Sequence, residues 1–261
     1  MFCIEYDPIL EGAAPFTSLV ELVTVVRLAE GSDPEELHVS EGYPGGLALG
    51  GNQVVLAMTR SEGETENTGN IVAISRSDGA TTSLGSQLPF PATPVVRDST
   101  VYWINQGTTA GFGRFENGSI QSVPVGGGSS TTLGAGITTL AAFAVGESLY
   151  FTSVVEMQAT LFSCPLAGCG EGNADATVVT SRTMEEERPP WCYAADERGL
   201  YVSEYAEPET DILWIAAGQA EPIVLASDRD CPRQIAVNSS SVLWVEQCED
   251  SSEWTIWRMP R

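Results

Sequence analysis

Five segments of this chain share one form at near-constant spacing, and that repeat limits the possible folds more than any other feature. Each is an apolar run, then three or four turn residues, then a strand that begins with an apolar or aromatic pair. They read GLALGGNQVVLAM, TPVVRDSTVYW, AAFAVGESLYF, CYAADERGLYV and QIAVNSSSVLW. With Val55, Tyr102, Tyr150, Tyr201 and Leu243 taken as equivalent, the spacings are 47, 48, 51 and 42 residues. Two further strand-like segments follow each pair, of the types NIVAISRSDG and TTSLG, except that the last pair is followed only by TIWRMPR. The runs are short, rich in Val, Ile, Leu and aromatics, and punctuated by Gly, Asn, Asp and Ser, which is the pattern of strands and tight turns.

The unit is therefore four strands, A to D, in about 48 residues, the sequence signature of propeller blades. One such sheet has two apolar faces and cannot bury them alone, so neighbouring blades must cover them. The expected fold class is all-β: a β-propeller of four-stranded antiparallel blades, about six of them, with the first and last incomplete. The chain reads as a single propeller domain over 1–261. Full blades fall at 45–90, 91–140, 141–190 and 191–233, with partial blades at 1–44 and 234–261. FTSLVELVTVVRLAEG would pass for a helix on its Leu and Glu content. Its match to the C strand of the repeat overrides that reading. The first partial blade reads as B-C-D and the last as A-B-C. We therefore expect upstream residues to carry the missing strand and an export signal.

Acidic residues outnumber basic ones 35 to 12, a formal charge of -23. Neutralising phosphate needs Lys and Arg clusters, so neither nucleic acid nor an anionic membrane is an expected partner. No apolar run approaches the ~20 residues of a membrane helix, so no membrane insertion is expected. Six cysteines favour an oxidising compartment. MFCIEYDPILEG, however, lacks the basic and apolar regions of a signal peptide.

The segments VYWIN, GSIQSVPVGGGSSTTLGAG and TLFSCPLAGCGEG resemble the repeats of secreted β-propeller proteins of myxobacteria and related bacteria, from about residue 45 to 261. A more distant similarity is to Tol-type six-bladed periplasmic propellers. The resemblance implies a periplasmic, cell-surface or secreted protein that acts by binding partners. A fold does not by itself specify an activity.

Cys231 and Cys248 are symmetric about Ser239 and Ser240, where the A–B turn belongs. Cross-strand partners in a hairpin keep a constant index sum, here 479, so the two cysteines are expected to face each other and form a disulfide. Cys164 and Cys169 sit likewise about the C–D turn at Ala167. A zinc site is the alternative, although the spacings lack the short C-x-x-C pairs such sites favour. Cys3 and Cys192 have no evident mate. His38 is the one histidine; it falls on an outer D strand, far from where a catalytic triad would be built. Asp98, Asp196 and Asn238 recur after strand A, at turns that favour Asp and Asn in any protein.

The B–C loops are long and acidic. With the D–A loops they form one expected face, which gathers Glu62, Glu64, Glu66, Glu204, Glu207, Glu209, Glu249, Asp250 and Glu253, together with Glu185, Glu186 and Glu187. Such a face either solvates the protein or binds: Ca²⁺ as a cofactor, or a protein, peptide or glycan partner. Phe112, Arg114 and Phe115 interrupt it with an aromatic, basic spot. The expected function is a non-catalytic binding or scaffold module, a monomer with no catalytic residues assigned. The alternative is a hydrolase or lyase using paired loop carboxylates.

Overall fold

The structure is a computed structural model. It describes residues 2–8, 21–27, 33, 35–62, 66–111, 114–138, 140–183, 191–204, 210–219, 221–229, 232–246 and 255–261. Apart from one 3-10 turn at Glu171–Asn173, its regular structure is all β. Strands β1 (Phe2–Pro8), β2 (Glu21–Arg27) and β3 (Glu35–Glu41) form a three-stranded sheet. The described part of the segment with helix-like composition, Glu21–Arg27, is thus a strand, in register with β1 from Phe2↔Arg27 to Pro8↔Glu21.

Four four-stranded antiparallel sheets follow. The first is β4 (Tyr43–Gly50), β5 (Gln53–Glu62), β6 (Glu66–Ser75) and β7 (Thr81–Pro89). The second is β8 (Pro91–Arg97), β9 (Thr100–Asn105), β12 (Gly118–Pro124) and β13 (Thr131–Ile137). Its B–C connection carries a small hairpin, β10 (Thr108–Gly111) and β11 (Arg114–Glu116). The third is β14 (Leu140–Val145), β15 (Ser148–Val155), β16 (Gln158–Pro165) and β17 (Thr177–Thr183). The fourth is β18 (Trp191–Asp196), β19 (Gly199–Glu204), β20 (Thr210–Ala216) and β21 (Ile223–Arg229). A last three-stranded sheet contains β22 (Pro232–Val237), β23 (Ser241–Glu246) and β24 (Thr255–Pro260).

In every one of these sheets consecutive strands are spatial neighbours, the meander of a propeller blade. The end sheets each stop at three strands. Five blades are found where the sequence reading expected about six. The chain divides into two compact units, Met1–Thr132 and Leu133–Arg261, the division falling inside β13.

Within each unit the core lies between adjacent sheets. In the first unit, Val23 and Val25 of β2 pack with Val54, Leu56, Met58 and Ile74 of the next sheet. On the other face of that sheet, Val55, Ala57, Ile71 and Ala73 meet Val101, Trp103 and Val123. Alternate residues of β5 thus serve opposite faces, as the two-residue period of a strand requires. The second unit repeats the arrangement. Tyr150, Ala159 and Leu161 pack with Leu200, Val202 and Ile215, and Tyr201 and Ile212 pack with Ile235, Val242 and Trp244. Each large apolar side chain so buried contributes about 1.5–3 kcal/mol relative to exposure. The strand B aromatics therefore do the inter-blade packing their repeat implied.

Aromatics also pair between strands B and C. Trp244 stands opposite Trp257, Tyr201 opposite Trp214 and Phe151 opposite Phe162. Their ring centroids lie 6.3, 6.5 and 5.3 Å apart, with planes inclined by 12°, 20° and 18°. Such cross-strand pairs stabilise a sheet beyond simple burial. One polar tie joins two blades in the second unit: the Tyr193 hydroxyl on β18 hydrogen-bonds Thr152 Oγ1 on β15, where Thr152 is fully buried.

The A–B corners approach each other closely, and glycine makes room. A Cβ on Gly146 would lie 2.4 Å from the Asp196 carbonyl oxygen of the next blade. A Cβ on Gly50 would lie 2.2 Å from Val96 Cγ1. Since backbone cannot yield as a side-chain tip can, Gly146→Ala is expected to destabilise the protein by about 1–3 kcal/mol in denaturant unfolding. Tyr150 supplies a second test. Burial pushes its phenol above the ordinary value of 10, opposed by the Ser148 hydrogen bond and assisted by Glu147. An unfolded tyrosine then ionises first. The stability this residue contributes is intact below about pH 10 and is lost as pH rises through the folded value. Tyr150→Phe is expected to flatten the alkaline limb of a stability–pH curve.

Candidate functional site

The end of strand B is where the chain leaves each blade for its B–C loop. The equivalent residues here, three beyond the repeat's marker positions, are Met58, Asn105, Ser153, Glu204 and Glu246, the last residues of β9, β19 and β23 among them. Three of them are buried polar groups: Asn105, Ser153 and Glu246. Burying such groups is costly unless they are hydrogen-bonded, and each is.

In the first unit, Trp103 Nε1 donates to Asn105 Oδ1 at 3.1 Å, and Asn105 Nδ2 donates to Ser119 Oγ at 3.3 Å. The next two amides reach the preceding D–A corner: Gln106 N donates to Phe90 O at 3.0 Å and Gly107 N to Pro89 O at 3.2 Å. Phe90 holds a left-handed φ of +53°, an unfavourable conformation for an aromatic residue. Phe115 of the B–C hairpin packs edge-on against it, with centroids 4.9 Å apart. In the second unit, Ser153 Oγ donates to Thr138 O at 2.6 Å, again at a D–A corner.

Glu246 is the most elaborate case. Its Oε1 accepts from Trp244 Nε1 and Arg229 Nε, both at 2.7 Å. Its Oε2 accepts from Trp257 Nε1 at 2.7 Å and Arg229 Nη2 at 3.1 Å. Arg229 comes from the last residue of β21, so its bidentate fork ties one blade to the next. Its guanidinium carbon lies 4.2 Å from the Trp257 ring centroid and 5.8 Å from that of Trp244, within cation–π range. The Glu246 side chain is 9% exposed and that of Arg229 21%. Four donors saturate this carboxylate, so it is a structural strut. It recurs in the aromatic-x-polar pattern of strand B, as VYWIN and VLWVE show, but its partner Arg229 lies on another blade and carries no sequence mark.

The expected acidic residues reach this same end of the blades where they are described. Glu62 and Glu66 stand opposite each other in register at the tip of β5 and β6. Glu204 stands opposite Asp211 at the end of β19 and β20. Asp211 went unremarked in the sequence because its acidity becomes local only through this pairing. Glu64, Glu185, Glu186, Glu187, Glu207, Glu209, Glu249, Asp250, Glu253 and Phe112 lie outside the described residues. Arg114 begins β11, and Phe115 is half-buried against Phe90. Phe115 therefore has a packing role beside any contact role. His38 lies on β3, the outer strand of its sheet, and burial lowers its pKa from the ordinary value. Among the described residues, no group of three or more His, Cys, Asp or Glu side chains could hold a metal ion.

Cys164 and Cys169 form the expected C–D disulfide, with Cα atoms 5.1 Å apart. Cys231 and Cys248 lie outside the described residues. The β22–β23 hairpin keeps the expected register, from Gln234↔Val245 to Val237↔Val242, but shifts by one residue at Pro232↔Glu246. Its turn is closed by Asn238, whose Oδ1 accepts from the backbone of Ser240 and Ser241, each at 2.9 Å.

Similarity to solved structures defines the class: this chain has the β-propeller fold. An oligogalacturonate lyase from Vibrio parahaemolyticus matches with a TM-score of 0.58 and 10% identity over 92% of this chain and 73% of the lyase. A nidogen/laminin complex matches at 0.54 and 13% identity, covering 86% and 81%. TolB from Acinetobacter baumannii matches at 0.55 and 10% identity, covering 92% of this chain and 60% of TolB. No family model matches the sequence, and no curated protein matches it.

Replacing Glu246 by Gln removes the charge but keeps the shape, so Arg229 loses the carboxylate that receives its bidentate fork. Breaking one side of a buried pair costs about 3–5 kcal/mol, and Glu246→Gln is expected to lower the unfolding midpoint accordingly. Glu62→Gln, on an acid-rich tip, is expected to leave it unchanged or raise it, since opposed like charges destabilise a strand pair.

Proposed function

We propose that this chain is a non-catalytic binding or scaffold module of an exported bacterial protein, and that it engages a cationic protein or peptide segment with the acidic B–C ends of its blades. The observation that carries the reading is the division of labour among carboxylates at those ends. Glu246 is consumed by Arg229, Trp244 and Trp257. By contrast, Glu62 with Glu66, and Glu204 with Asp211, place acids opposite acids. A chain of net charge -23 gathers cations by its overall field, and paired acids at loop tips sharpen that field locally. The nidogen/laminin complex among the structural neighbours accords with a protein partner. Ca²⁺ is a second cation the same tips would attract. An export-competent setting accords with the Cys164–Cys169 disulfide. A carboxylate-based hydrolase or lyase draws less support, since the lyase resemblance is one of fold at 10% identity.

A lysine-rich peptide titrated at low and at physiological ionic strength tests this. Binding is expected at low salt, weakening as salt rises because exposed charges are screened beyond about 8–10 Å. The double variant Glu62→Gln/Glu66→Gln is expected to bind several-fold more weakly. Absence of binding at low salt, or equal binding by the variant, would overturn the assignment of the face. A calcium-dependent rise in melting temperature would assign the tips to the metal instead.

A further inference from the structure

The C–D connection between β16 and β17 does more than reverse the chain. The Cys164–Cys169 disulfide closes it, and both cysteines are buried. It continues through the 3-10 turn Glu171–Asn173. From this connection three hydrogen bonds cross to β13, the outermost strand of the preceding sheet. Cys169 N donates to Leu133 O at 2.6 Å. Asn173 Nδ2 donates to Ala135 O at 2.8 Å, and its Oδ1 accepts from Ala135 N at 3.3 Å.

Leu133 and Ala135 are two residues apart, the interval at which a strand presents backbone groups to one side. The Asn173 carboxamide supplies one donor and one acceptor, as an added strand's peptide group would. The loop therefore occupies the positions of a further strand on that edge. The loop itself is held on its own side, where Asp175 N donates to Cys169 O at 2.8 Å.

The same corner touches an outer strand in earlier blades, each time through a glycine with positive φ. A Cβ on Gly79 would lie 2.7 Å from Leu37 O of β3, and one on Gly127 would lie 3.4 Å from the Thr82 methyl of β7. On Gly168 it would lie 3.0 Å from Leu133 O of β13. At the next corner, Gly218 has nothing within 4 Å. The Cys164–Cys169 loop is thus the covalently closed version of a close approach seen at earlier corners, and it hydrogen-bonds the outer strand itself.

We propose that this loop is a clasped edge cap: it occupies the outer backbone groups of β13 so that no strand of another copy can pair there, and the disulfide keeps it seated. Unpaired edges are templates for strand addition, and proteins cover them by such devices. Opening the clasp with a dithiol is a balanced exchange. A reductant thiolate attacks one sulfur and expels the other. The second reductant thiol then releases the mixed disulfide, leaving two protein thiols and an oxidised cyclic reductant.

Amide exchange at Ala135, followed by NMR, reads the cap directly. In Cys164→Ser/Cys169→Ser and in Asn173→Ala, its protection is expected to fall by about tenfold or more while amides of β15 and β16 keep theirs. Light scattering across a concentration series is expected to show association of the double variant and none of the wild type. Unchanged Ala135 protection in either variant would overturn the cap, and a deprotected double variant that stays monomeric would overturn its protective role. Should the double variant fail to fold, Asn173→Ala, with the disulfide intact, carries both readouts alone.

Discussion

The inner sheets are apolar on both faces, and everything else in this structure follows from having to cover both. Val54, Leu56 and Met58 serve one neighbour while Val55 and Ala57 serve the other. Tyr201 in the second unit meets the last sheet, while Leu200 and Val202 meet the one before. Burial of this kind is non-directional and leaves the blades free to slip unless their corners are fixed. Two features fix them. Gly146 and Gly50 let neighbouring A–B corners approach where any Cβ would collide. Polar bonds close the opposite end.

That opposite end is held by one strategy carried out with three chemistries. Asn105, Ser153 and Glu246 occupy the same place in three of the repeats, at or near the end of strand B. The chain around each engages the preceding D–A corner, through backbone amides after Asn105, a hydroxyl at Ser153 and a charged fork at Glu246. The Glu246 version is the strongest because its hydrogen bonds are charge-assisted and bidentate. A buried carboxylate beside two tryptophans would elsewhere invite a catalytic reading. Here its four donors leave it no acceptor capacity for a substrate. The face proposed for binding lies with the opposed acids at the strand tips instead.

Much of the architecture was legible in the sequence because the repeat carries its own signals. Aromatic residues mark strand B, and Asp-Gly or Asn-Ser turns mark the hairpins. Asp78, which accepts from Ala80 N at 3.2 Å, and Asn238 behave as such turn residues do. The Cys164–Cys169 bond was legible because a five-residue span about a tight turn leaves few other geometries. The β22–β23 register was legible for four residue pairs and then shifted, since Pro232 lacks the amide a regular ladder needs. The Arg229–Glu246 strut was not legible, because it joins residues 17 apart in sequence on different blades. Nor was the seating of Asn173 on Ala135, whose backbone partners become neighbours only once two blades are packed.

The central claim is that the end of strand B is tied to the preceding D–A corner, most strongly where Glu246 meets Arg229. A double-mutant cycle on Arg229→Met and Glu246→Gln, read as unfolding free energies, tests it most directly. The account predicts strong non-additivity, with a coupling energy of about 1–3 kcal/mol. Losses that add within about 0.5 kcal/mol would mean that the two side chains act independently, and would contradict it.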